Sequence, residues 1–354
     1  MLRKRNFQLA SCLVMLLMAS VVSAADRPFF GAPPPNMLTN PNFDDGGGSF
    51  NGWFTFGNAF LSLPEEVALS APASGKMFGN FSGGFNVSGI FQAFPASANQ
   101  TFTFSGYSHV RSADPMVGVG LPDNNWVVMK MAFFDAPAGG NEIGGAEVII
   151  ADGTTPVDQW HFNTVTGTSP CGTQRVEALF LYLQPQFDPG AVFVDNASFV
   201  LEPATTVAVD VKPGGCPNAV NPNSNGKLPV AILGMDGFDV SQIDPSTVLL
   251  ECVAPVATSF EDVGTPHFES ACGCTEDGAD GRMDMTLKFR TSDIAAILSG
   301  ATEQELRLTG RLFDGTSIEG SDCIRVVPQG RGGAGGVGKP VEKAEWGAVK
   351  RIYR

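Results

Sequence analysis

Apolar and polar residues alternate with period two over much of the chain, and few stretches show helical spacing. Thr101-Phe102-Thr103-Phe104-Ser105-Gly106-Tyr107 alternates strictly, and Glu177 to Leu181 does so in part. Such stretches predict strands with one buried and one solvated face. Val127 to Phe134 and Phe180 to Leu183 are apolar on both sides; these predict central strands, or strands lining a partly covered groove. Clusters of Gly, Asn, Asp and Pro separate the runs and supply the turns.

The pattern breaks at Glu202-Pro203-Ala204 and restarts with Val207, Val209 and Val211 against Ala208, Asp210 and Lys212. Further strands are expected at Leu228 to Leu233, around Val248 to Cys252, and where Met283, Met285, Leu287 and Phe289 recur at period two. A turn or two of helix is expected at Asp293 to Leu298, with Thr291 or Ser292 as N-cap and Gly300 as the stop. Two closing strands, Glu305 to Thr309 and Ser317 to Val327, flank an Asp314-Gly315 turn. The expected fold class is all-β: one jelly-roll-sized sandwich over 36–202, then a smaller sandwich over 203–328.

The flanks read differently. Arg3, Lys4 and Arg5 precede an apolar run from Leu9 to Val22 that closes on Val22-Ser23-Ala24-Ala25, the pattern of a cleaved bacterial Sec-type signal peptide over 1–25. No other run approaches about 18 consecutive apolar residues, so no membrane span is expected. A Pro-rich lead (26–35) follows the signal, a Gly-rich linker spans 329–340, and a basic, aromatic tail spans 341–354. In that tail Trp346, Val349, Ile352 and Tyr353 interleave with Lys350, Arg351 and Arg354, which suits docking to a surface or secretion partner. The expected location is extracellular or at the cell surface, with the periplasm as the alternative.

Charge narrows the partners. The chain carries a formal −14, yet the signal contributes +3 and residues 331–354 contribute +4, leaving the body at about −21. Such a body repels nucleic acid and anionic lipid and is compatible with bound Ca²⁺. With 42 Gly, 25 Pro and 27 Phe, composition also favours turn-rich β-structure. Six cysteines follow the signal: Cys171, Cys216, Cys252, Cys272, Cys274 and Cys323. In an exported chain an even count points to disulfides. Each half holds an odd number, so either one bridge links the halves or two thiols stay free. Cys272-Gly273-Cys274 lacks the two-residue spacing usual for zinc.

The first half carries a series of short motifs in order: Leu38-Thr39-Asn40-Pro41-Asn42-Phe43-Asp44, Gly52-Trp53, Ile90-Phe91-Gln92, Phe102-Thr103-Phe104-Ser105, Met131-Ala132-Phe133-Phe134-Asp135, Trp160, and Val192-Phe193-Val194-Asp195-Asn196-Ala197-Ser198-Phe199. In these residues 36–202 resemble the jelly-roll carbohydrate-binding modules of bacterial xylanases and cellulases, part of the galactose-binding-like sandwich group. The resemblance implies polysaccharide or glycan binding, through aromatic rings stacked on pyranose faces. It implies core positions for Trp53 and Trp160, leaving Trp126, in the Pro122-Asp123-Asn124-Asn125 loop, and Tyr107, on a strand, as ligand-binding candidates, with Gln92 as a polar partner. It also implies a structural Ca²⁺ site at Asp44 and Asp195; the alternative for Asp44 is a turn cap.

Residues 205–328 are similar to a small accessory β-domain of secreted bacterial proteins, on Val209-Asp210-Val211-Lys212-Pro213-Gly214-Gly215-Cys216-Pro217-Asn218, Leu228 to Gly234, Phe238-Asp239-Val240, Ile243-Asp244-Pro245, Asp280-Gly281 with Asp284, and Gly320-Ser321-Asp322-Cys323. The loop from Glu276 to Asp284 approximates an Asp-x-Asp-x-Asp-Gly calcium loop, with Glu276, Asp280 and Asp284 as metal ligands. A Gly-stabilised tight turn explains it equally well.

The chain has no Gly-x-Ser-x-Gly elbow, phosphate-binding Gly-x-x-x-x-Gly-Lys loop or His-Glu-x-x-His pair, and no feature selects a carboxylate pair for glycoside hydrolysis. Two non-catalytic classes remain: a secreted glycan-binding module on a spacer, or a structural or adhesive surface component. Joint exposure of Tyr107 and Trp126 on one groove favours the first class, and separation favours the second.

Overall fold

The computed structural model describes residues 33–63, 65–118, 124–266 and 272–327. The signal, most of the lead, the linker and the tail lie outside the described residues. Among those described, no helix is long and apolar enough to cross a membrane.

The first half forms β1 (Phe54–Phe56), β2 (Asn58–Leu61), β3 (Gly75–Phe78), β4 (Asn86–Pro95), β5 (Thr101–His109), β6 (Trp126–Phe134), β7 (Glu142–Ala151), β8 (Trp160–Thr168), β9 (Arg175–Gln184) and β10 (Ala191–Leu201). They pair antiparallel into two five-stranded sheets, β1-β4-β9-β6-β7 (the front sheet) and β2-β3-β10-β5-β8 (the back sheet). Alternation does what period two requires: Val176, Ala178, Phe180 and Tyr182 of β9 point into the core, as do Phe102 and Phe104 of β5. Between the sheets Phe104 and Phe180 meet at 4.9 Å between ring centroids, and Phe102 stacks on Phe199 at 5.3 Å. Burying a side chain of this size contributes about 2–3 kcal/mol.

The second half forms β11 (Thr205–Thr206), β12 (Ala208–Val211), β13 (Ala219–Val220), β14 (Lys227–Leu233), β15 (Ile243–Leu250), β16 (Ala257–Glu261), β17 (Asp284–Arg290), α1 (Thr291–Ala295), β18 (Glu303–Leu312) and β19 (Ser317–Val326). One sheet runs β11-β19-β18-β15, with β13 added beside β19, and the other runs β12-β14-β17-β16. Met285, Leu287 and Phe289 are fully buried between them, whereas Met283 precedes β17 and is exposed. The helix begins about two residues before its expected start. Arg290 is the N-cap and makes no capping side-chain bond, because β17 runs straight into the helix and fixes its entry.

Three disulfides form: Cys171–Cys252, Cys216–Cys274 and Cys272–Cys323. The first joins the two sandwiches, resolving the odd count in each half. Around it Asn99 donates to Thr309 Oγ1 at 3.0 Å, Arg307 donates to the Ala98 carbonyl at 2.9 Å, and Arg311 reaches Thr101 and Thr168. A covalent bond and several hydrogen bonds thus cross the junction between the two sandwiches.

Candidate functional site

The outer face of the front sheet carries a broad apolar surface. Strand register arranges its outward side chains in cross-strand rows. The first is Val87, Leu183 and Trp126. The second is Phe56, Gly89, Leu181, Val128 and Ile149, five strands wide. The third is Phe54, Phe91, Leu179, Lys130 and Glu147. Ala93, Glu177, Ala132 and Gly145 follow, and the last row holds Pro95, Arg175, Phe134 and Glu142. With strands about 4.8 Å apart and rows about 7 Å apart, the first three rows cover roughly 19 by 14 Å.

This face divides by polarity. Up to Leu179, rows one to three contain no hydroxyl, amide or charged side chain. Phe54 is 62% exposed and Ile149 57% exposed on the two edge strands, whereas Val128 and Trp126 are buried and Leu179, Leu181 and Phe91 half-buried, so the face is open mainly along its edges. Phe54 stacks on Phe91 with centroids 5.2 Å apart and planes at 23°, and Phe56 lies 6.3 Å from the same ring. Phe56 covers Gly89, where a Cβ would come within 2.6 Å of the ring tip. Glycine here lets the ring lie flat against the strand. Toward the other end, Lys130 pairs with Glu142 at 2.8 Å, and the two border a cavity of about 340 Å³ that Gly144, Gly145 and Glu147 also line. Arg175 bridges to Glu177 at 3.1 Å, sits 4.1 Å above the Phe134 ring and donates to the Ala136 and Gly139 carbonyls. Burial raises the Glu177 carboxyl above its ordinary value against the pull of Arg175.

The residues singled out from sequence fall elsewhere or serve other ends. Trp126 opens β6 on this face and is only 7% exposed, with the exposed Phe85 ring 6.4 Å away; it is a covered strand residue rather than a loop platform. Tyr107 lies on the outer face of the back sheet, half-buried against Phe162 at 5.2 Å. The two rings are therefore on opposite sheets and form no common groove. Gln92 points inward and is 4% exposed; its amide accepts from Thr39 N at 3.0 Å and donates to Thr39 O at 2.7 Å, bracketing the entry loop. Trp53 joins the core as expected, whereas Trp160 lies outside it, 5.1 Å from His109 on the back sheet.

Most of the expected calcium donors are engaged in hydrogen bonds. Asp195 is fully buried and accepts from the Leu69, Ser70 and Asn196 N–H groups and the Ser70 hydroxyl. Burial still raises its carboxyl above the ordinary value despite those bonds. Donors converging from every side satisfy a carboxylate and offer a cation no further oxygen. Asp44 flanks the 3₁₀ turn Asp45–Gly47 without a side-chain cap. Asp284, also fully buried, accepts from Gly234, Val263 and Gly264 N–H groups at 2.8–3.1 Å. Asp280 accepts from Arg282 N, Asp262 receives the Asp280 and Gly281 N–H groups, and Glu276 is exposed. Among the described residues no group of three or more His, Cys, Asp or Glu is placed to hold a metal ion.

The exposed Phe-Leu-Ile face escaped the sequence reading because Leu, Val and Ile at period two look the same whether they point in or out. One signal was available. Val127 to Phe134 and Phe180 to Leu183 are apolar on both sides, which a half-solvated strand does not need.

No family model and no curated protein matches the chain. Among solved structures it is similar to a family 61 carbohydrate-binding module in complex with beta-1,4-galactotriose, at 17% identity over 48% of this chain and 99% of the other (TM-score 0.31). It is similar to the enzymatically active domain of bacteriophage CBA120 tailspike protein 4, at 14% over 47% of this chain and 21% of the other (0.33). It is also similar to a xylan-binding family 22 module from Paenibacillus barcinonensis, at 16% over 46% of this chain and 93% of the other (0.30).

Proposed function

We propose that this chain is a secreted, non-catalytic protein that binds polysaccharide on the outer face of its front sheet. One observation carries the reading: the exposed Phe54 ring stacked on the half-buried Phe91 ring at the edge of an apolar sheet face. Aromatic faces stack on the C–H face of a pyranose, and a flat sheet presents several such contacts along an extended polymer. The charged shelf at Lys130, Glu142 and Glu147 lies within the same face and offers partners for sugar hydroxyls. The motif resemblance of residues 36–202 supports the same reading. Three disulfides fit an oxidising, extracellular setting.

The second reading is a structural or adhesive component. Separation of Tyr107 and Trp126 on opposite sheets favours it, as does the covalent joining of the sandwiches. Affinity electrophoresis of the mature protein through gels containing neutral plant, algal and bacterial polysaccharides decides between them. Retardation by one polymer class, lost in Phe54→Ala and Phe91→Ala variants with unchanged melting temperatures, is the expected result. Free migration of the folded wild-type protein in every gel favours the adhesive reading.

A further inference from the structure

The apolar rows carry a second message once polysaccharide binding is taken as the premise, on which this inference rests. An unmodified pyranose presents several hydroxyls, and each one desolvated without a partner is costly. The rows holding Phe56, Leu181, Val128 and Ile149 supply no side-chain partner for them. Their backbone N–H and C=O groups are engaged in the ladders between β4, β9, β6 and β7. A glycan lying across this surface with free hydroxyls would find no side-chain partner for those turned toward it. A glycan whose hydroxyls are capped by ester groups would instead place methyls on Leu181 and Ile149 and keep its remaining hydroxyls over Lys130 and Glu147. The acidic body disfavours the obvious alternative, a uronic-acid polymer, through like-charge repulsion.

We propose that the front sheet selects a neutral, O-acetylated polysaccharide, with the acetyl methyls seated on the apolar rows and the uncapped hydroxyls directed to the Lys130–Glu147 shelf. Recognition is by differential contact alone, with no bond made or broken.

The test compares one polymer in two states. The full mature protein is run through gels containing O-acetylated xylan or glucomannan, and through gels containing the same polymers after alkaline deacetylation. Retardation constants about tenfold stronger for an acetylated polymer are expected, the scale of a few buried methyl groups. A Leu181→Gln variant, which adds hydrogen-bonding groups in the middle of the apolar row, should narrow that ratio, and Ile149→Thr, at an exposed edge position, serves where Leu181→Gln fails to fold. Equal or stronger binding to the deacetylated polymers overturns the acetyl preference and leaves polysaccharide binding standing. Binding to neither state of either polymer, with retardation by unsubstituted glucans, does the same. Binding to no polysaccharide overturns both.

Discussion

The two sandwiches differ in how their buried carboxylates are held. In the first, the buried Asp195 accepts from the Leu69, Ser70 and Asn196 N–H groups, while Phe54, Phe56 and Ile149 face solvent on the front sheet. In the second the carboxylates cluster. Asp210, Asp284 and Asp322 are all buried, and Asp210 Oδ2 has no hydrogen-bond partner. Burial, then the neighbouring Asp322 and Asp284 charges, push the Asp210 carboxyl up to about 6. Apolar surface left in water is the usual mark of a surface kept for a partner. A buried like-charge cluster ties stability to pH instead. The first sandwich thus exposes apolar surface that a ligand can cover, and the second holds a carboxylate cluster that responds to protons.

The sharpest way to break this comparison is to separate the two bodies. Replacing Cys171 and Cys252 together by Ser removes a cross-link between positions 81 residues apart, with an expected loss on the order of 4 kcal/mol by the chain-entropy model. Differential scanning calorimetry should then show two transitions instead of one; a single unshifted transition would mean that the hydrogen bonds at the junction suffice.

Next in size is Asp210→Asn. The folded-state value lies above the ordinary 3.8, so the proton is held more tightly in the folded protein. Stability from this residue is fully present below about pH 4 and is lost as pH rises through about 6. By pH 7 the loss reaches at most about 3 kcal/mol, from two units at about 1.4 kcal/mol each. The variant should melt several degrees higher than wild type at pH 7.5 and nearly alongside it at pH 4. An equal offset at both pH values would remove the charge explanation.

The smallest effect belongs to the exposed surface. Phe54→Ala should change stability by less than about 1 kcal/mol, because most of the ring is already in water. A larger loss in urea melts would make the front face a structural surface rather than one held open.

The fold was legible in the sequence wherever alternation was strict. Thr101 to Tyr107 became β5 with Phe102 and Phe104 inside, and the even spacing of Met285, Leu287 and Phe289 gave the core face of β17. Disulfide pairing was not legible, because it depends on which loops the sheets bring together. The apolar front face was half legible. Double-sided apolarity in β6 and β9 marked two of the strands that carry it, whereas Phe54 and Phe56 sit on a short strand with no pattern of its own. Phe54-Thr55-Phe56 is a three-residue strand whose side chains look like core from sequence and are left outside by its edge position. Likewise Asp195 and Asp284 look like calcium ligands as letters, and only the backbone N–H groups arriving from distant loops show that their oxygens are already engaged.

The bond between Cys171 and Cys252 also has a mechanical meaning. A protein anchored on one side and holding a polymer on the other carries tension along its backbone. Between these two cysteines run β9, β10, the Glu202-Pro203-Ala204 turn and the first strands of the second sandwich. A pull applied before residue 171 and after residue 252 passes through the sulfur–sulfur bond and skips that span, so those strands bear no load until the bond is reduced. The junction that looks weakest in the sequence is the segment most fully shielded from force.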